Sequence, residues 1–144
     1  MSVRHKLIAE ALRDALNAET FSASFTATRK SIAIFDLPDV QDLSVTVVPT
    51  QRRSVRVARS IWHDFYTLHV VVQAAAVASD ESGIDALELV VQEITDFVDS
   101  AGRMAGASQA PETELERLFE SDRITESRQQ VYSQPKFVYR TERA

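Results

Sequence analysis

The chain of 144 residues contains no cysteine. Disulfide staples, a thiolate nucleophile and any metal site built on cysteine are therefore excluded. Glycine is scarce: Gly83, Gly102 and Gly106 are the only three. No phosphate-cradling glycine loop can be written with them. Long hydrophobic runs are missing too. The longest, LHVVVQAAAVA from Leu68 to Ala78, contains Gln73 and falls well short of the roughly 20 residues that span a bilayer. The start, MSVRHKLIAEALRDAL, has charges spread through its apolar positions and so lacks a signal-peptide core. The expectation is a soluble chain with no export signal. Positive charge is absent between Arg59 and Arg103, an interval that holds Asp64, Asp80, Glu81, Asp85, Glu88, Glu93, Asp96 and Asp99. What remains is ordinary for one globular domain, with 44% hydrophobic residues, 26% charged residues and a net charge of −5.

Periodicity divides this domain into elements. Val3, Leu7, Ile8, Ala11, Leu12, Ala15 and Leu16 recur at helical spacing, which predicts an amphipathic helix from about Ser2, its N-cap, to Ala18. In FSASFTATRKSIAIF the residues Phe21, Ala23, Phe25 and Ala27 alternate with polar ones, the pattern of a strand with one wet face. DLPDVQD reads as a loop, and LSVTVVP as a strand stopped by Pro49. After the stretch QRRSVRVARS, the residues from about Trp62 to Ala75 form the most β-rich run and predict a central strand. SGID places Ser82 as an N-cap before a long helix from about Ile84 to Met104, with its stripe at Leu87, Val91, Ile94, Val98 and Ala101, widened by Val90 and Phe97. The region from about 106 to 130 is polar, with one short helix at Leu115, Leu118 and Phe119 in an otherwise mobile connection. VYSQPKFVYR closes the chain as one strand, with Phe137 and Tyr139 on one face.

The order α-β-β-β-α-(α)-β gives an α+β domain over residues 1–144. A mostly antiparallel four-stranded sheet carries two main helices on one face.

Catalytic and metal patterns are weak. His5, His63 and His69 share no ligand spacing; on one strand His63 and His69 stand about 20 Å apart. GASQA around Ser108 lacks the last glycine of a nucleophile elbow and follows a helix rather than a strand. SQPK matches Ser-x-x-Lys at Ser133 and Lys136, but Pro135 blocks the helix that motif sits on. Asp36, Asp39 and Asp42 lack the spacing of a calcium loop and read as turn residues. Nothing argues for an enzyme or a cofactor.

The block RRSVRVAR stands apart. Arg52, Arg53, Arg56 and Arg59 fall within eight residues of an acidic chain, at about 50–60, where Val55 and Val57 alternate with Ser54 and Arg56 as in an extended arm or hairpin. Three readings are open: a solvated β-arm, an arm pairing with acids of a neighbouring subunit, or one touching nucleic acid. A sequence-specific DNA binder usually shows a dominant basic face, which an acidic domain does not. The long helix offers a complementary acidic face in Asp85, Glu88, Asp96 and Asp99.

Taken in order, LIAEALRDAL, DLPDVQDLSVTVVP, the basic stretch running into DFYTLHVVVQ, IDALELVVQEITDFV and KFVYR resemble the tail terminator, or tail-completion, proteins of long-tailed bacteriophages. The likeness is one of pattern and order over most of the chain, and residues 107–130 stand outside it. It implies an α+β virion protein that forms a ring, typically a hexamer. The ring caps the tail tube, ends its polymerisation, joins the head connector and lets genomic DNA pass through its lumen with only transient contact. No membrane and no catalysis are involved. Other readings are a different head–tail connector piece, such as a head-closure or neck protein, and a small cytoplasmic ligand- or peptide-binding domain.

Overall fold

The structure is a computed structural model, and it describes residues 3–23, 25–30, 43–75, 81–101, 112–114, 120–125 and 128–143. Within these the elements are α1 (Arg4–Ala18), β1 (Ala27–Arg29), β2 (Ser44–Ala58), β3 (Ile61–Ala75), α2 (Glu81–Ala101), β4 (Glu112–Glu114), β5 (Glu120–Thr125), β6 (Arg128–Ser133) and β7 (Lys136–Arg143). The chain is α+β, with two helices and a mixed sheet.

Most of each stripe read from the sequence is buried, but Val3 and Leu7, at the start of the first stripe, are exposed. Ile8, Ala9, Leu12 and Leu16 of α1, together with Leu87, Val90, Val91, Ile94 and Val98 of α2, pack in one cluster with Val45, Val47, Tyr66, Leu68, Val70, Val72, Phe137 and Tyr139. The four contributors of β3, Tyr66, Leu68, Val70 and Val72, alternate along the strand, so both helices bury their stripes against one sheet face. The end of α1 is pinned to the sheet by Asn17, whose Oδ1 accepts from the Ala27 amide at 2.7 Å and whose Nδ2 donates to the Ala27 carbonyl at 3.1 Å.

The sheet is five strands wide. Its main path runs β1-β2-β3-β6-β5, with β7 beside β3 and β4 beside β7. β3 is the central strand: it pairs with β2 from Ile61 to Gln73 on one side, and with β7 (Trp62 to His69) then β6 (Val72 to Ala75) on the other.

Several expectations need correction. The sheet is mostly antiparallel, as expected, but it has more than four strands, and β1 runs parallel to β2. Among the described residues of the strand expected over Phe21 to Phe35, the paired ones are Ala27–Arg29, and pairing begins where Asn17 ties Ala27 to the helix. Residues 31–42, including the DLPDVQD aspartates, lie outside the described residues, as do 115–119, where the short helix was expected. The polar region around it contains β4, which pairs with β7, and β5 with the start of β6, which pair with each other; polar residues form strands as readily as a loop when neighbours supply the pairing. The closing strand is two strands, interrupted at Gln134 and Pro135 because proline donates no hydrogen bond; the Pro135 carbonyl still accepts from the Val70 amide at 3.0 Å, which keeps the edge continuous. α1 starts at Arg4, and its N-cap is Val3 rather than Ser2, with no side-chain cap hydrogen bond. α2 starts at Glu81, which puts Ser82 inside its first turn, and Ala101 is exposed rather than part of the stripe.

Most consequential, β2 does not stop at Pro49. The Val47 carbonyl accepts from the Lys30 amide, so it points to the outer edge of β2. Pro49, two residues on, has the same orientation, and its missing N–H faces an edge that β1 has already left. The strand continues to Ala58, and the arginine block is one arm of a β2–β3 hairpin.

Candidate functional site

A register shift between Pro49 and Gln51 decides which side the arginines take. Before it, Val45, Val47 and Pro49 pair with Val72, Val70 and Leu68 on the helix-covered face. After it, Arg52, Ser54 and Arg56 pair with Tyr66, Asp64 and Trp62, and so continue that same face. One extra residue exchanges odd for even, as bulges do. Arg53, Val55 and Val57 fall on the other face.

The row therefore ends on Asp64, which is completely buried. Its four partners come from three elements, β2, β7 and α1. Ser54 Oγ donates to Oδ1 at 2.6 Å. Arg143 of β7 donates from Nε to Oδ2 at 3.1 Å and from Nη2 to Oδ1 at 3.5 Å. Arg4 of α1 reaches Oδ2 at 3.5 Å, and Arg52 of β2 stands 3.7 Å from it. Burial alone would raise the carboxyl pKa. The Ser54 hydrogen bond, the Arg143 bond and charge, and the Arg52 charge outweigh it and hold Asp64 below the usual carboxylate range. The arginines themselves face water, with side-chain exposures of 51% for Arg4, 53% for Arg52 and 37% for Arg143.

Aromatic rings from β3 brace the cations. Arg52 lies 6.0 Å from the Tyr66 ring centroid, and Arg56 and Arg143 lie 5.9 and 5.5 Å from that of Trp62. On the opposite face Arg53 stacks 4.9 Å from Phe65. Arg56 also donates to the carbonyls of Ala58 and Arg59 at 3.3 and 2.5 Å, closing the hairpin turn. Beyond Pro49, residues 50–60 are all exposed.

The acidic residues lie on the helix layer. Asp85, Glu88, Asp96 and Asp99 are exposed along the outer side of α2. Asp99 is partly engaged at home: it accepts a hydrogen bond from Thr113 of β4. Asp96 lines a cleft of about 420 Å³ with Glu19, Phe21, Glu93 and Phe97. Phe21 meets Phe97 edge-on at 5.8 Å, and the Ser22 amide holds Glu93 Oε2 at 2.8 Å. The cleft thus has an aromatic floor and an acidic rim, a setting that suits a guanidinium.

The four arginines are thus one connected hairpin, but they do not share one role. Arg52 belongs to the Asp64 cluster, Arg56 to the turn, and Arg53 to the outer face; Arg59 sits at the tip. Sequence reasoning missed Asp64, Arg4, Arg143, Glu19 and Glu93. Only Asp64 left a readable sign, as an acid on the inward parity of a hydrophobic strand. Among the described residues no three histidine or acidic side chains are grouped to hold a metal, and no helix is long and apolar enough to cross a membrane.

Compared with known proteins, the chain matches no family model and no curated protein.

Proposed function

We propose that the chain is a structural assembly subunit that closes into a ring at the end of a bacteriophage tail tube, as the tail terminator proteins it resembles do. In this reading the ring is a homo-oligomer, typically six subunits. It stops tube growth, meets the head connector, and surrounds the path of the DNA in the virion. The role is assembly and needs no cofactor.

The observation that carries the reading is the separation of charge between two ordered surfaces of one subunit. An exposed hairpin bearing Arg53, Arg56 and Arg59 stands at one end of the sheet. An acid-rimmed aromatic cleft and the acidic side of α2 lie on the helix layer. A head-to-tail ring needs two different faces that complement each other, and closure follows when the rotation between subunits returns to its start. Hairpin into cleft is such a pair.

The test is the mass of the purified chain by sedimentation or native mass spectrometry, alone and with tail tubes. The expected outcome is a closed oligomer near six subunits, alone or on tube ends, and tubes that stop growing when it is added. A chain that stays monomeric and leaves tube length unchanged would overturn the reading.

A further inference from the structure

We propose that Arg4, Arg52 and Arg143, gathered on Asp64, form a binding site for a phosphate oxyanion. The first reason is the balance of charge. Three guanidinium groups from three elements converge on one carboxylate, and a fourth, Arg56, shares the Trp62 ring with Arg143. Asp64 carries one negative charge and neutralises one of them. Each guanidinium has five N–H donors, of which the contacts to Asp64 occupy one or two. Asp64 is buried while the three arginine side chains are partly exposed, so donors not engaged with Asp64 are within reach of solvent and of a ligand. The carboxylate works as an internal clamp. It fixes flexible side chains before a ligand arrives, which lowers the ordering cost of binding.

The second reason is independent of the first. The earliest intrahelical bond of α1 is from the Leu7 amide to the Val3 carbonyl, at 3.1 Å. The amides of Arg4, His5 and Lys6 therefore have no acceptor within the helix. This end carries the positive pole of the helix dipole, where acids are favoured. Here the first turn has no acid and no side-chain cap, and it holds Arg4, His5 and Lys6. Two concentrations of positive potential meet at Arg4.

The shape of the site selects the ligand class. A planar carboxylate offers two oxygens and suits one guanidinium fork. A tetrahedral phosphate offers three or four and can bridge forks arriving from a helix and two strands, with helix amides completing the set. The same chemistry is presented by free phosphate and by a phosphodiester of nucleic acid. The inference stands whether or not the chain forms rings, since the three arginines and the helix end belong to one subunit.

The experiment is an NMR titration of the full chain with inorganic phosphate, with sodium acetate at equal ionic strength, and with a short mixed-sequence single-stranded oligodeoxynucleotide. The expected result is saturable shifts at the amides of residues 4–7 and at the side-chain Nε–H of Arg52 and Arg143, with phosphate but not with acetate. Arg4→Gln combined with Arg52→Gln should weaken binding about tenfold or more, a change of at least about 1.4 kcal/mol, whereas Arg4→Lys should retain part of it. Both positions are more than half exposed, and circular dichroism checks the fold; the shift map of the unaltered chain decides the matter if a variant does not fold. Shifts with the oligonucleotide alone assign a phosphodiester as the source, and shifts with phosphate alone assign the free anion. No localised shift with either, equal shifts with acetate, or binding unchanged by the double substitution would each overturn the proposal.

Discussion

Asp64 is the residue on which the exposed end of the sheet depends. Its folded pKa is held below the ordinary carboxylate value: burial raises it, and Ser54, Arg143 and Arg52 together lower it further than burial raises it. The sign of the linkage follows. Between the folded and unfolded values the unfolded chain binds the proton more readily, so stability rises with pH across that window. The contribution is complete above the unfolded aspartate pKa of about 3.9 and is lost as pH falls through the lower folded value. Urea unfolding from pH 7 down to about 2 should therefore show a steeper loss below pH about 5 for the native chain than for Asp64→Asn. Equal slopes would show that Asp64 is not preferentially ionised in the fold. Tyr139 makes the opposite case. It is buried, its hydroxyl has no hydrogen-bond partner among the described residues, and burial followed by the nearby Asp99 charge pushes its pKa far up. An unpaired buried hydroxyl costs about 1–3 kcal/mol. Tyr139→Phe should thus leave stability unchanged or raise it in thermal unfolding, and a loss above about 1 kcal/mol would reveal a partner for the hydroxyl.

At the scale of elements, the long periodic segments were legible in the sequence. The bounds of β3 and the burial of Leu87, Val91, Ile94 and Val98 follow from spacing alone, because each element buries one face in the common cluster. Ile94 is fully buried, and Ile94→Ala should cost about 2–5 kcal/mol by chemical denaturation. A cost under about half a kcal/mol would mean the site is not core. What was illegible depends on neighbours. Pro49 reads as a strand end and is one only where its nitrogen faces a paired strand; that β1 has already ended there is a tertiary fact. The bulge beyond it has no local signature, yet it decides that Arg52 and Ser54, rather than Arg53 and Val55, meet Asp64. β5 and the first half of β6 are polar, so alternation could not mark them. The Asp64 cluster was hidden for a different reason: Arg4 and Arg143 lie at opposite ends of the chain and come together only through α1 and β7. An inward-facing acid in IWHDFYTLHVVV was the single clue, and it says that partners exist without saying where they are.

At the scale of the whole molecule, the proposed ring rests on attraction between unlike faces, and the structure dictates how to test it without damaging the subunit. Arg52 cannot be reversed, because a glutamate there would stand beside buried Asp64. Arg56 holds the turn carbonyls and is also unsuitable. Arg53 and Arg59 are exposed and belong to neither arrangement, so Arg53→Glu with Arg59→Glu should fold normally. If the hairpin docks on the helix layer of the next subunit, this variant should fail to assemble on tubes. Glu88→Arg with Asp96→Arg, both at exposed positions of α2, should fail likewise. Combining all four reverses the charges on both faces and should restore rings. Such rim contacts are screened over about 8 Å in physiological salt, so assembly of the native chain should also weaken as salt rises. If the hairpin instead lines the lumen, the arginine variant forms rings and ends tubes at normal length, and the defect appears in DNA passage or head joining. Sizing by light scattering and imaging of tails separates these outcomes. Unaltered rings and infectious particles in both charge-reversed variants would leave the hairpin as a solvated arm, with its arginines serving the fold alone.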